Sequence, residues 1–156
     1  MASPFASHSK VTVAVPTDPG QTVTFRKLTG LEVEHAQSEH LKGIIAGRSA
    51  RGWSQAFQRV LAKGATDADA AAAIADPLVG YDRLSIVRAG LVDWSYPLPV
   101  QAQSITRTGD SFVSAVDYVA DLDDETLEWL AREILKLTKP GLFQTQDEAE
   151  AARHLS

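Results

Sequence analysis

Thr24-Phe25-Arg26-Lys27-Leu28-Thr29-Gly30-Leu31-Glu32-Val33-Glu34-His35-Ala36 is the stretch in which the chain passes from strand into helix. Within it, Thr29 stands three residues before Glu32, the spacing of a capping box. The Thr hydroxyl accepts from the Glu amide and the Glu carboxylate accepts from the Thr amide, so two donors that a helix start leaves unpaired are satisfied. Leu28 and Val33 occupy the flanking positions of a hydrophobic staple. The pattern predicts a helix beginning at Thr29, continuing through Ala36, Leu41 and Ile44, and weakening at Gly43 and Gly47.

Working back toward the amino terminus, Val11, Val13 and Val15 alternate, and Val23 and Phe25 alternate in the next run. Pro16-Thr17-Asp18-Pro19-Gly20 between them is dense in turn chemistry, so the two runs read as a β-hairpin. Residues 1–9 read as a mobile arm.

Working forward, Trp53, Phe57, Val60 and Leu61 fit one face of a second helix ending near Gly64. Thr66-Asp67-Ala68-Asp69 suits another helix start, with acids well placed against the helix dipole. Asp76-Pro77 pairs an N-cap with a first-turn proline, and the helix through Leu84, Val87 and Arg88 should stop at Gly90. Residues 91–96 resemble a short strand broken by Pro97 and Pro99. Residues 97–110 read as loop, and residues 112–119 as a second short strand. The clearest helix comes last. Asp121 or Asp123 caps it, Leu127, Leu130, Ala131, Ile134 and Leu137 form its apolar stripe, and Lys136, Lys139 and Pro140-Gly141 close it. The expected fold is α+β and predominantly helical: an N-terminal β-hairpin, then a multi-helix domain with one or two further short strands. Residues 10–141 form the single domain and residues 142–156 a polar C-terminal tail.

Composition agrees with one globular unit. The chain has 156 residues, 44% of them hydrophobic and 22% charged. Much of the apolar fraction is alanine, as in residues 68–75, so the core is expected to be lean. The absence of cysteine excludes disulfides and thiolate zinc sites. Residues 1–10 lack the basic and apolar regions of a signal peptide, and no stretch approaches the ~20 apolar residues of a membrane span. A formal charge of −5 disfavours nucleic acid as a partner. The local basic group Arg48, Arg51 and Arg59 reads as a solvated helix face.

No polar constellation compels chemistry. His35 and His40 are five apart, about 140° around a helix, where a zinc pair needs a shared face. With Glu32, Glu34 and Glu39 they read as an exposed polar helix face. Asp117, Asp121, Asp123, Asp124 and Glu125 lack the glycine and the final bidentate glutamate of a calcium loop, and capping explains them. No serine sits in a nucleophile elbow, and no glycine spacing makes a phosphate or dinucleotide loop. No catalytic, metal or cofactor-binding residue is therefore assigned, and a non-enzymatic binding protein is expected. The residues expected to meet a partner are apolar and aromatic: Trp53 and Phe57, one helical turn apart among arginines, and Trp129 with Ile134 on the last helix. Trp94 reads as core.

Three stretches in order, TFRKLTGLEVEHA (24–36), DPLVGYDRLSIVRAGLVDWSYPLPV (76–100) and LDDETLEWLAREILKLTKP (122–140), resemble the tail-assembly chaperones of siphophages. The resemblance spans roughly residues 10–140. It implies a non-enzymatic protein of the host cytoplasm that binds the tape-measure protein, keeps that long helical chain soluble and helps recruit tail-tube subunits. It transfers no catalytic residue and no cofactor. Such families often make a shorter and a longer product by frameshifting, which would place the switch near Gln144. A structural virion subunit, a connector or minor tail protein of a long-tailed phage, is the alternative. Self-association is compatible with either role; nucleic acid and membrane are not expected partners.

Overall fold

The computed structural model describes residues 5–46, 53–55, 58, 76–100, 103–106 and 113–143. Several expectations lie outside them: most of the helix over 53–64 including Phe57, the helix start at Thr66, the group Arg48, Arg51 and Arg59, and the tail from Gln144.

The hairpin forms as β1 (Lys10–Val15) and β2 (Asp18–Arg26), running antiparallel from Lys10 opposite Arg26 to Ala14 opposite Thr22. Its turn is shorter than the run of turn residues indicates. Only Pro16 and Thr17 make the turn, while Pro19 and Gly20 fall within β2, where the register slips between Ala14 and Val15. An irregularity of this kind accommodates a proline that cannot donate to the ladder. Val23 and Phe25 on β2 are buried and Thr22 is exposed, as strand alternation requires. Thr12 and Thr24, paired across the strands, share a 2.8 Å hydroxyl hydrogen bond on the other face.

Helix α1 (Gly30–Ala46) starts at the capping box. The Thr29 amide donates to Glu32 Oε1 at 2.9 Å and the Glu32 amide to Thr29 Oγ1 at 3.2 Å. Leu28 and Val33 are both buried in the core. The inward stripe, however, is Val33, Ala36, His40 and Gly43, whereas Leu41 and Ile44 are exposed. His40 therefore does not belong to an exposed polar face: it falls in register with Val33 and Ala36 and is carried inward with them.

Asp76 caps a single turn and not a helix. Its Oδ1 accepts from the Leu78 amide, its carbonyl accepts from Val79, and Gly80 leaves the turn at φ 92°. Helix α2 (Arg83–Gly90) begins later, at Asp82, whose carboxylate accepts from the Ser85 amide, and it ends at Gly90 as expected. The chain then enters β3 (Leu91–Trp94), which pairs antiparallel with β2, so β2 is central in the order β1-β2-β3. Residues 97–110 are not wholly loop. Gln103–Thr106 forms β4, paired with β5 (Val113–Val116) in a separate two-stranded sheet. A four-residue strand is too short to announce itself by alternation; its partner makes it a strand.

Helix α3 (Asp124–Thr138) is capped by Asp123, which accepts from the Thr126 amide at 2.7 Å. Leu127, Leu130, Ala131, Ile134 and Leu135 have no exposed surface. Each large apolar side chain so buried contributes roughly 1.5–3 kcal/mol. They meet Val15, Val23, Phe25 and Leu91 from the sheet and Ile86 and Val87 from α2 in one core cluster. A Cβ at Gly90 would lie 2.6 Å from Ile134 Cγ2, so the crossing of α2 and α3 depends on glycine there. The fold is an α+β mixture. Among the described residues no helix is long and apolar enough to cross a membrane.

Candidate functional site: a groove between two helices

Because the inward stripe of α1 runs through Val33, Ala36, His40 and Gly43, a second face at Leu31, Glu34, His35, Ser38 and Glu39 is left to one side. These residues are three and four apart and so lie along one ridge. On α2 the residues Arg83, Ile86, Val87 and Gly90 point inward, leaving Leu84, Ser85, Arg88 and Ala89 on the opposite side. The two outward faces line a common open groove of about 1110 Å³. Asp82, the cap of α2, also lines it.

Trp53 also lines the groove and is half-buried. Its indole Nε1 would stand 3.3 Å from a Cβ at Gly43, so the glycine gives the ring room to lie against α1. Leu31, Gly43, Trp53, Leu84 and Ala89 supply the apolar surface of the groove; Glu32, Glu34, Glu39 and Asp82 supply its carboxylates.

The charges along the groove are unequally engaged. Glu32 makes two bonds to Arg26, at 2.9 and 2.8 Å, besides its capping bond. Burial works against its ionised form, but the Arg26 guanidinium and the Thr29 amide outweigh that, and the carboxyl sits below its ordinary range. Arg88 is paired with Asp117. Glu39 makes an exposed contact to Lys42 at 3.3 Å. Glu34 is exposed and has no ion-pair partner among the described residues. Among the described residues that line the groove, Arg88 is the one arginine, and it is ion-paired.

The other residues expected to bind a partner do not converge here. Ile134 has no exposed surface and packs at the α2–α3 crossing, so it belongs to this chain's own core. Trp129 is half-buried against the core on α3 and does not line the groove. Phe57 lies outside the described residues. Trp94 is a core residue, and its indole N–H donates to the Leu98 carbonyl at 2.6 Å. Sequence reasoning missed Leu31, Leu84 and Ala89. The signal for Leu31 was its place on the side of the helix away from Val33.

The acidic residues before α3 have local duties. Asp117 accepts from the Ala120 amide and pairs with Arg88, Asp123 is the cap, and Asp124 stands 3.8 Å from Arg83. A smaller cavity of about 400 Å³ lies nearby, lined by Trp94, Tyr96 and Tyr118, with Tyr96 bonded to Asp18. Among the described residues no group of three or more His, Asp or Glu is placed to hold a metal ion. In the groove, Ser85 Oγ is bonded to the helix-capping Asp82. Comparison with protein-family models, with curated proteins and with solved structures finds no match to the chain.

Proposed function

We propose that the chain is a non-enzymatic binding protein that holds an amphipathic helix of a partner in the groove between α1 and α2. Under this proposal it serves as a tail-assembly chaperone of a long-tailed phage. It works in the host cytoplasm as a predominantly helical protein, binds the tape-measure protein and helps bring tail-tube subunits to it. The observation that supports this reading is the open groove with Leu31, Trp53, Leu84 and Ala89 on its walls. A helix laid into such a groove buries a ridge of apolar residues spaced three and four apart. A long helical polypeptide waiting to be assembled exposes many such ridges, and covering them prevents their mutual association.

The test is co-expression with a tape-measure protein from the same genome. The expected result is soluble tape-measure protein that co-purifies with this chain, and loss of both effects in Leu31→Ala/Trp53→Ala. Leu31 is 77% exposed, so its replacement leaves the core intact. Tape-measure protein that stays insoluble and does not co-purify would end the proposal.

A structural virion subunit is the second reading. It is favoured by Leu41 and Ile45, which are 58% and 78% exposed on α1 and do not line the groove. Apolar side chains so placed suit permanent packing against a neighbouring subunit, including a second copy of this chain. Mass spectrometry of purified virions separates the two: stoichiometric copies in the particle identify a subunit, and absence identifies a chaperone.

A further inference from the structure

The hairpin turn, the end of β3 and the start of α3 meet around the smaller cavity of about 400 Å³, which shares no described lining residue with the groove. Three of its lining residues are aromatic: Trp94, Tyr96 and Tyr118. Trp94 ends β3, Tyr96 follows two residues on, and Tyr118 comes from the segment between β5 and α3. Two of the rings are fixed in place. The Trp94 indole N–H donates to the Leu98 carbonyl at 2.6 Å, and the Tyr96 hydroxyl donates to Asp18 Oδ2 at 3.1 Å. Their planes stand at 88° with centroids 5.7 Å apart. They meet edge to face, so the ring that offers its edge keeps both π faces clear of the other. A hydroxyl bond of 2.9 Å between Thr17 and Thr126, both on the cavity wall, ties the hairpin turn to α3.

Carboxylates share the walls with the rings. Asp18, Asp121 and Asp123 line the cavity, and all three are exposed residues, which places them where it opens to solvent. Asp18 is the partner of Tyr96 and Asp123 is the cap of α3, and neither hydrogen bond removes the carboxylate charge. That charge is felt at the Tyr96 hydroxyl, whose pKa is raised by burial first and then by Asp18 and Asp123. Because Asp123 takes the capping role, capping does not explain Asp121.

We propose that this cavity binds a small N-methylated ammonium cation, held against the rings of Trp94, Tyr96 and Tyr118 and opposite the three carboxylates. The choice follows from the two kinds of wall. An aromatic face attracts a cation that comes within about 6 Å of the ring centroid. N-methyl groups spread the charge over an apolar surface, so such a cation gains from ring contact and gives up less hydration than a primary ammonium. The carboxylates select positive charge and repel an anionic group on the same ligand. That repulsion favours a free methylated amine over a phosphate-bearing lipid headgroup. The site does not depend on the helix-binding reading of the groove.

The experiment follows the tryptophan indole N–H signals of the isotope-labelled full chain by NMR as choline, dimethylbutanol, ethanolamine or phosphocholine is added. Dimethylbutanol is the neutral carbon isostere of choline, and ethanolamine lacks its methyl groups. The expected result is a saturable shift of the Trp94 signal with choline, while those of Trp53 and Trp129 stay in place. Dimethylbutanol and ethanolamine should bind about tenfold more weakly. Phosphocholine should also bind more weakly than choline. Tyr96→Phe keeps the ring and should bind choline within about twofold of the parent, whereas Tyr96→Leu, with unchanged circular dichroism, should lose about fivefold. Asp121→Asn should lose about threefold at low salt and less at high salt. Equal affinity for choline and dimethylbutanol would overturn the proposal, as would the absence of a saturable Trp94 shift. Phosphocholine binding more tightly than choline would overturn the choice of a free amine in favour of a lipid headgroup.

Discussion

Arg83 on α2 is wholly buried, and its guanidinium donates to the Glu128 carboxylate of α3 at 3.1 Å. Arg132 continues the network, reaching Glu128 at 3.1 Å and clasping Asp76 through two bonds of 2.9 and 2.7 Å. The Gln55 amide donates to the same Glu128 at 3.3 Å. One carboxylate thus ties together α2, α3 and the segment beside Trp53. The groove wall formed by α2 is held against the core by this network as well as by Ile86 and Val87.

Breaking a buried ion pair from one side leaves the other charge without its partner, at a cost of roughly 3–5 kcal/mol. Arg83→Met is expected at the lower end, about 3 kcal/mol, because Arg132 still contacts Glu128. Arg83→Met/Glu128→Leu should lose less than the sum of its single changes. Urea unfolding of the singles and the double measures this; an Arg83→Met protein as stable as the parent would show that the pair is dispensable.

The α2–α3 crossing makes a sharper steric prediction. In Gly90→Ala the new methyl would sit 2.6 Å from Ile134 Cγ2 and 3.0 Å from its Cδ1, so the helices must move apart. Overpacking of this kind costs about 1–3 kcal/mol. Ile134→Val keeps Cγ2 and should give little relief, whereas Ile134→Ala removes it and should be less than additive with Gly90→Ala. Thermal unfolding of the parent, the three single variants and the two doubles distinguishes these cases, and an unaffected Gly90→Ala would refute the close approach.

The parts of this fold legible in the sequence are those whose determinants are local. Thr29 and Glu32 announce a helix start because both partners of each capping bond lie within one turn. Most of the α3 stripe, Leu127, Leu130, Ala131 and Ile134, is legible because one helix face supplies it, but the buried Leu135 falls outside the expected stripe and Leu137 within it is only partly buried. The inward face of α1 was obscured because half of it is His40 and Gly43, neither of which signals burial by composition. Gly43 is there for the Trp53 ring, and a glycine's reason cannot be seen until its neighbour is known. The start of α2 was misplaced because Asp76 and Asp82 both make capping bonds, and only the chain direction between them decides which one leads into a helix. The groove was not legible at all. It exists between two helices distant in sequence, and α2 contributes to it Leu84 and Ala89, which also pack against the edge of the core.

The capping box couples to pH through Glu32. Its folded carboxyl is held below the ordinary range against the penalty of burial, by Arg26 and Thr29. Its stabilisation is present above the unfolded value, about 4.3, and is lost as pH falls through the lower folded value. Glu32→Gln should remove that acid-side slope. Thr29→Ala should cost about 1 kcal/mol at neutral pH while Arg26 preserves most of the slope. Denaturant midpoints between pH 3 and pH 7 decide, and an unchanged slope in Glu32→Gln would assign the acid sensitivity elsewhere.

His40 acts in the same direction, losing stability as pH falls, but at a higher pH. Burial disfavours its protonated form, and the nearby Asp82 carboxylate only partly compensates, so its folded pKa lies below the ordinary value. As pH falls from about 6.5, the unfolded chain takes up this proton before the folded one does, and stability declines until the folded value is passed. In His40→Gln the decline between pH 7 and pH 5.5 should shrink, whatever the variant's stability at neutral pH. Chemical denaturation across that interval tests it, and an equal decline in both proteins would exclude His40 as its source.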